Sequence, residues 1–158
     1  MNMKSSLRFE LRGKLDKLNA QIILFQAHSQ NESYIADLEE VREIVRRLQR
    51  CEACGEKFDG KMILWGLDED EIHTRSHTPE KFYGLGHILP HSSMKQEAAE
   101  LNFLRTVIRE VELCACKTFP EDSLMIAHVL NRLSSALYIL TYKYLPTDYD
   151  KVIYFGKS

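Results

Sequence analysis

The apolar positions of this chain recur at three- and four-residue steps in four separate stretches, the spacing that gathers side chains on one face of an α-helix. Over residues 7–28, Leu11, Leu15, Leu18, Ile22 and Phe25 make a heptad-like stripe. Tyr34, Leu38, Val41, Val45 and Leu48 make a second over residues 34–50, with Ser33 placed to cap it and Glu39, Glu40, Arg42, Glu43, Arg46 and Arg47 facing water. Leu101, Leu104, Ile108 and Val111 make a third, in a helix that follows Ser93 and runs to about residue 117. Ile126, Leu130, Leu133, Leu137, Leu140 and Tyr144 make the last, over residues 123–145, stopped by Pro146.

Between the second and third stripes the period is lost. The stretch from Cys51 to Gly60 ends the helical pattern, Lys61 to Trp65 reads as a short extended run, and the acidic residues Asp68 to Glu71 suit the start of a short helix. Phe119, Pro120, Glu121 and Asp122 predict the turn before the last helix. The pattern as a whole predicts an all-α fold, an up-and-down bundle of four to five helices, over residues 1–146 with a tail over 147–158.

Beside three of the apolar stripes runs a polar one with the same period. Asn102, Arg105, Arg109 and Glu112 flank the third stripe, and Arg8, Arg12, Asp16 and Asn19 flank the first. Asn131, Arg132, Ser134 and Ser135 interrupt the fourth, where Asn and Ser are poor helix-interior residues. An Arg12 and Asp16 pair one turn apart is the ordinary explanation of the first set, and helix-to-helix hydrogen bonding that of the last. Taken together they gather guanidinium and amide groups in a protein of net charge -2. Guanidinium groups capture phosphate oxygens in bidentate fashion, so the pattern points to a polyphosphate ligand held without a glycine-rich loop.

Composition narrows the classes. With 44% hydrophobic and 28% charged residues the chain reads as a soluble globular domain. Its mild negative charge argues against a general nucleic-acid or membrane-surface binder, and the absence of a long apolar run leads to an expectation of a cytoplasmic protein. Cys51, Cys54, Cys114 and Cys116 are expected to be free thiols, because one CxxC without a second ligand pair does not close a zinc site. His73 and His77 stand one turn apart, but Thr74 follows where a zinc protease needs Glu, and no metal ligand is assigned. No paired Glu-x-x-His motif supports di-iron chemistry.

Four motifs carry a resemblance. They are Leu101, Asn102, Leu104, Arg105, Thr106, Arg109, Glu110 and Glu112; the run from Leu130 to Ser135; Leu15, Asp16, Leu18, Asn19 and Ala20; and Asp68, Glu69, Asp70, Ile72, His73, Ser76 and His77. In this order, across about residues 4–142, they resemble ATP:corrinoid adenosyltransferases. The first three are similar to the propanediol-utilization type, and the histidine segment with Ser134 and Ser135 to the ethanolamine-utilization type. The resemblance implies transfer of the 5'-deoxyadenosyl group of ATP to the cobalt of cob(I)alamin, with Mg2+ or another divalent cation. It also implies a homo-oligomer with active sites between subunits, and delivery of adenosylcobalamin to a partner such as ethanolamine ammonia-lyase, with association to a bacterial microcompartment. The alternative it leaves is a non-catalytic nucleotide- or corrinoid-binding module of the same fold.

Position by position, the resemblance makes Arg109 the holder of the triphosphate and pairs Asp16 with Arg105 across a subunit boundary. Glu112 and Asn131 would contact nucleotide or its metal. Lys4, Ser5, Arg8 and Arg12 would serve the phosphates, with Lys4, Ser5 and Arg8 standing where the propanediol type has a Gly- and Thr-rich loop. Phe82, Tyr83, His87, Ile88 and Leu89 would cover the corrinoid, His87 falling near a phenylalanine of that type. Ethanolamine-type members carry an upstream metal-binding segment with His and clustered Cys, and Cys51 and Cys54 are not that segment.

Overall fold

The computed structural model describes residues 2–58, 60–119 and 124–149. Four long helices form the bundle: α1 (Met3–His28), α2 (Glu32–Cys54), α5 (Lys95–Thr118) and α6 (Leu124–Tyr144). Two shorter ones, α3 (Glu69–His77) and α4 (Pro79–Tyr83), lie on the connection between α2 and α5. The turn expected at Pro120, Glu121 and Asp122, the expected helix start at residue 123 and the tail beyond residue 149 lie outside the described residues.

Local chemistry explains where the helices begin and end. Asn2 and Asn31 each accept a backbone N–H in the first turn of α1 and α2, and Asp68 does the same for α3. The cap of α2 is thus Asn31, two residues before the expected Ser33. At the other end α2 runs through Cys54 to Gly55, whose φ of 67° closes the helix in the left-handed region. Cys51 and Cys54 are therefore helical, not loop, residues. Lys61 to Trp65 do not form a strand. Leu64 and Leu67 exchange backbone hydrogen bonds around Trp65 and Gly66, both at positive φ, which makes a tight turn. Trp65 is fixed there by donation from its Nε1 to the Asp37 carbonyl at 3.1 Å.

The apolar stripes meet in one core. Leu11, Leu15, Leu18, Ile22, Leu38, Val41, Leu101, Leu104, Ile108, Leu130, Leu133 and Leu137 are all fully buried in it. α1 packs on α2 and α5, while α6 packs on α5 and α3, so α1 and α6 occupy opposite corners. Thr118 Oγ1 lies 3.3 Å from the Leu7 carbonyl and Asn31 donates to Glu97, which sets α5 antiparallel to α1 and its start beside the start of α2. The chain thus reverses direction at the connection after α1, whereas the long connection after α2 returns it along the bundle and leaves α2 and α5 parallel. Beyond α6, Tyr149 is buried against Met94 and Ala98, so the first part of the expected tail is docked. Among the described residues no helix is long and apolar enough to cross a membrane.

Candidate active site

The polar stripe of α5 lines the main cavity. Arg105 and Arg109, one turn apart, share its wall with Asn102, and the facing wall is Ser134, Ser135, Tyr138 and Thr141 of α6. Ser76 and His77 from the end of α3, with His87, Ile88 and Pro90, close it to a volume of about 470 Å³. The stripe survives as a wall because Leu101, Leu104 and Ile108 are drawn into the core and turn the neighbouring face toward α6.

The electrostatics are unbalanced. Arg105 is half-buried, donates through Nη2 to Asn102 Oδ1 at 3.0 Å, and its Nε is buried without a partner among the described residues. Burial first, and then the charge of Arg109, pulls its guanidinium below the ordinary arginine value. Among the described residues neither arginine has a carboxylate within ion-pair distance. Two adjacent cations of this kind are a standing demand for an anion. One turn beyond Arg109 on α5 and one turn before Ser135 on α6, Asn131 Nδ2 donates to Glu112 Oε2 at 3.1 Å. α3 is held beside it by Arg132, which donates to His73 Nδ1 at 2.8 Å. Since arginine only donates, His73 must be neutral at that nitrogen, and burial followed by Arg132 lowers its affinity for a proton.

The α1 stripe stands elsewhere in the chain. Ser5, Arg8, Phe9 and Arg12 line a separate cavity of about 180 Å³. Arg12 does not pair with Asp16: its Nε and Nη2 hold the Glu52 carboxylate at 2.9 and 3.3 Å, and Arg8 Nη2 donates to the Glu52 carbonyl at 3.0 Å. Asp16 and Lys4 are exposed. Within one chain, then, the stripes of α5 and α6 converge and that of α1 does not join them.

The five cover residues divide as well. His87 and Ile88 line the main cavity. Phe82 is 45% exposed beneath the Arg75 guanidinium, and Leu89 is 42% exposed. Tyr83 instead stacks on Tyr142 with ring centroids 4.7 Å apart and lines a different cavity, with Trp65 and Asp37.

Two residues of evident importance escape the sequence reading. Glu52 has a side chain only 1% exposed in the last turn of α2, where the helix end disfavours a carboxylate. It continues the spacing of Val45 and Leu48, so an acidic residue on an apolar stripe is the signal that marks it. Tyr138 continues the α6 polar run from Ser134 and Ser135 by one turn. Among the described residues no three His, Cys, Asp or Glu side chains gather as a metal site.

Comparison with known proteins converges on one family. A family model described as cobalamin adenosyltransferase matches residues 1–144. The chain is similar to the corrinoid adenosyltransferase EutT of Salmonella typhimurium, with 34% identity over 145 residues, covering 89% of this chain and 54% of that protein. Its similarity to the corrinoid adenosyltransferase EutT of Escherichia coli K12 is 32% identity over 145 residues. The chain spans about half the length of the curated relatives it matches.

Proposed function

Since this chain belongs to the cobalamin adenosyltransferase family, we propose that it transfers the 5'-deoxyadenosyl group of ATP to the cobalt of cob(I)alamin. The observation that carries the reading is the Arg105 and Arg109 pair, two guanidinium groups in a cavity wall without a carboxylate at ion-pair distance among the described residues. The cobalt of the substrate supplies the electron pair: a cobalt–carbon bond forms at C5' as the C5'–oxygen bond breaks, and triphosphate departs. The protein needs no nucleophile of its own. Its tasks are to hold C5' in line and to neutralise the leaving triphosphate, for which Arg109 and Arg105 are suited. His87 and Ile88 present the cover against which the corrinoid rests.

Glu112 and Asn131 are the residues that would hold a divalent cation beside the phosphates. The hydrogen bond from Asn131 Nδ2 to Glu112 Oε2 leaves Asn131 Oδ1 and Glu112 Oε1, hard oxygen donors of the kind that hold Mg2+ alongside phosphates. Bound there, the ion would offset triphosphate charge.

The separation of the α1 stripe favours a site completed by a second copy of the chain. Exposed Asp16 would meet Arg105 of the other copy, bringing Lys4, Ser5, Arg8 and Arg12 to the phosphates. The exposed apolar residues Phe9, Ile23 and Leu24 on α1, and Phe103 and Leu113 on α5, suit such a contact. The product would serve an adenosylcobalamin-dependent enzyme such as ethanolamine ammonia-lyase, with a microcompartment as the setting. Anaerobic incubation with ATP and cob(I)alamin tests the reading by following the absorbance of the cobalt–carbon bond. ATP-dependent formation supports it, and binding of both ligands without bond formation contradicts it.

A further inference from the structure

Two tyrosines one turn apart on α6 fasten the segment that brings His87 and Ile88 to the cavity. Tyr142 Oη donates to the Gly86 carbonyl at 2.6 Å. Tyr138 Oη accepts from the Ile88 amide at 2.9 Å and lies 2.9 Å from His87 Nδ1, with the two rings stacked 5.9 Å apart. The hydroxyls of the two tyrosines are themselves 3.3 Å apart. A phenol has one proton, and that of Tyr142 is committed to Gly86; the proton of Tyr138 therefore remains for His87 or for the Tyr142 oxygen. Residues 84–91 form no helix, and Gly84 starts them at a φ of 73°. With no internal ladder, their polar groups find partners outside the segment: α6 holds Gly86 and Ile88, and Tyr149 donates to the Leu89 carbonyl.

We propose that Tyr138 is a positioning residue for the corrinoid, its hydroxyl setting where His87 and Ile88 stand against the main cavity. This deepens the adenosyltransferase reading and rests on it. Packing alone does not require the hydroxyl, because the half-buried ring and its stack on His87 would be kept by phenylalanine. Tyr138 lines the cavity, and its hydroxyl meets two neighbouring residues of the cover at once. Tyr142 supports it from one turn away, through the Gly86 carbonyl and the stack on Tyr83.

Tyr138→Phe isolates the hydroxyl. In anaerobic kinetics with ATP and cob(I)alamin, the variant is expected to raise KM for the corrinoid about tenfold, the effect of two ordinary hydrogen bonds, with KM for ATP unchanged. Hydrogen exchange at the Ile88 amide, read without any substrate, should accelerate by a similar factor. Tyr142→Phe should give a smaller rise in the same KM. An unchanged corrinoid KM in Tyr138→Phe overturns the proposal, as does an equal rise in KM for ATP. If the unaltered chain forms no cobalt–carbon bond, the adenosyltransferase reading fails. The exchange measurement then decides separately whether Tyr138 anchors the segment, and retained Ile88 protection in Tyr138→Phe overturns that as well.

Discussion

Arg109 is exposed at the mouth of the groove, and its neighbour one turn back is half-buried; this difference sets what each substitution does. Arg109→Ala removes a group that packs on little, so the helical circular dichroism and thermal midpoint should be unchanged. Turnover should fall by roughly a hundred- to a thousandfold, the usual loss of one donor to developing negative charge. Turnover near normal would remove Arg109 from the mechanism. Both arginines were legible in the sequence because their spacing fixes them on one face whatever α5 packs against. Tyr138 and Glu52 were not, since each owes its role to groups brought in from another part of the fold, Ile88 and His87 in one case and Arg8 and Arg12 in the other.

The two faces of α5 predict opposite behaviour for adjacent residues. Ile108 is fully buried, so Ile108→Ala should cost roughly 2–5 kcal/mol in a denaturant titration while leaving the reaction centre chemically intact. Arg109→Ala should do the reverse. The docking of α3 on α6 carries a pH dependence. Arg132 donates to His73 Nδ1, and the folded state binds a proton there less readily than the unfolded chain does. The unfolded state therefore holds more protons as pH falls past the ordinary histidine value of about 6.5, and this contribution to stability, present above that value, is lost below it. With the opposing pair of His128 and Glu69 between the same two helices removed by His128→Gln, protection of α3 amides from exchange should drop across that window, and adding His73→Gln should flatten the change. An unaltered drop with His73→Gln added would place its origin in another group. Periodicity made the long helices legible, but their ends moved where a side chain two residues away offered the better cap, as Asn31 does in place of Ser33.

For the whole molecule, the all-α bundle followed from the apolar stripes, because each long helix shows one buried face. The relation between stripes did not follow. Which helices become neighbours is decided by the long connection through α3 and α4, which returns the chain along the bundle and sets α1 and α6 at opposite corners. The result is that Arg105 and Arg109 gather with the α6 polar groups, while Arg8 and Arg12 remain with Glu52. A site that needs both sets must join two copies of the chain, and this is the central claim. Its most direct test is complementation between impaired variants. Asp16→Ala and Arg109→Ala, each with turnover much reduced alone, are unfolded together, refolded as a mixture and assayed with ATP and cob(I)alamin. Mixed assemblies should contain some sites with both residues intact, so a substantial fraction of activity should return. A mixture no more active than its parents, with mixed assemblies confirmed by mass, would contradict a site shared between copies.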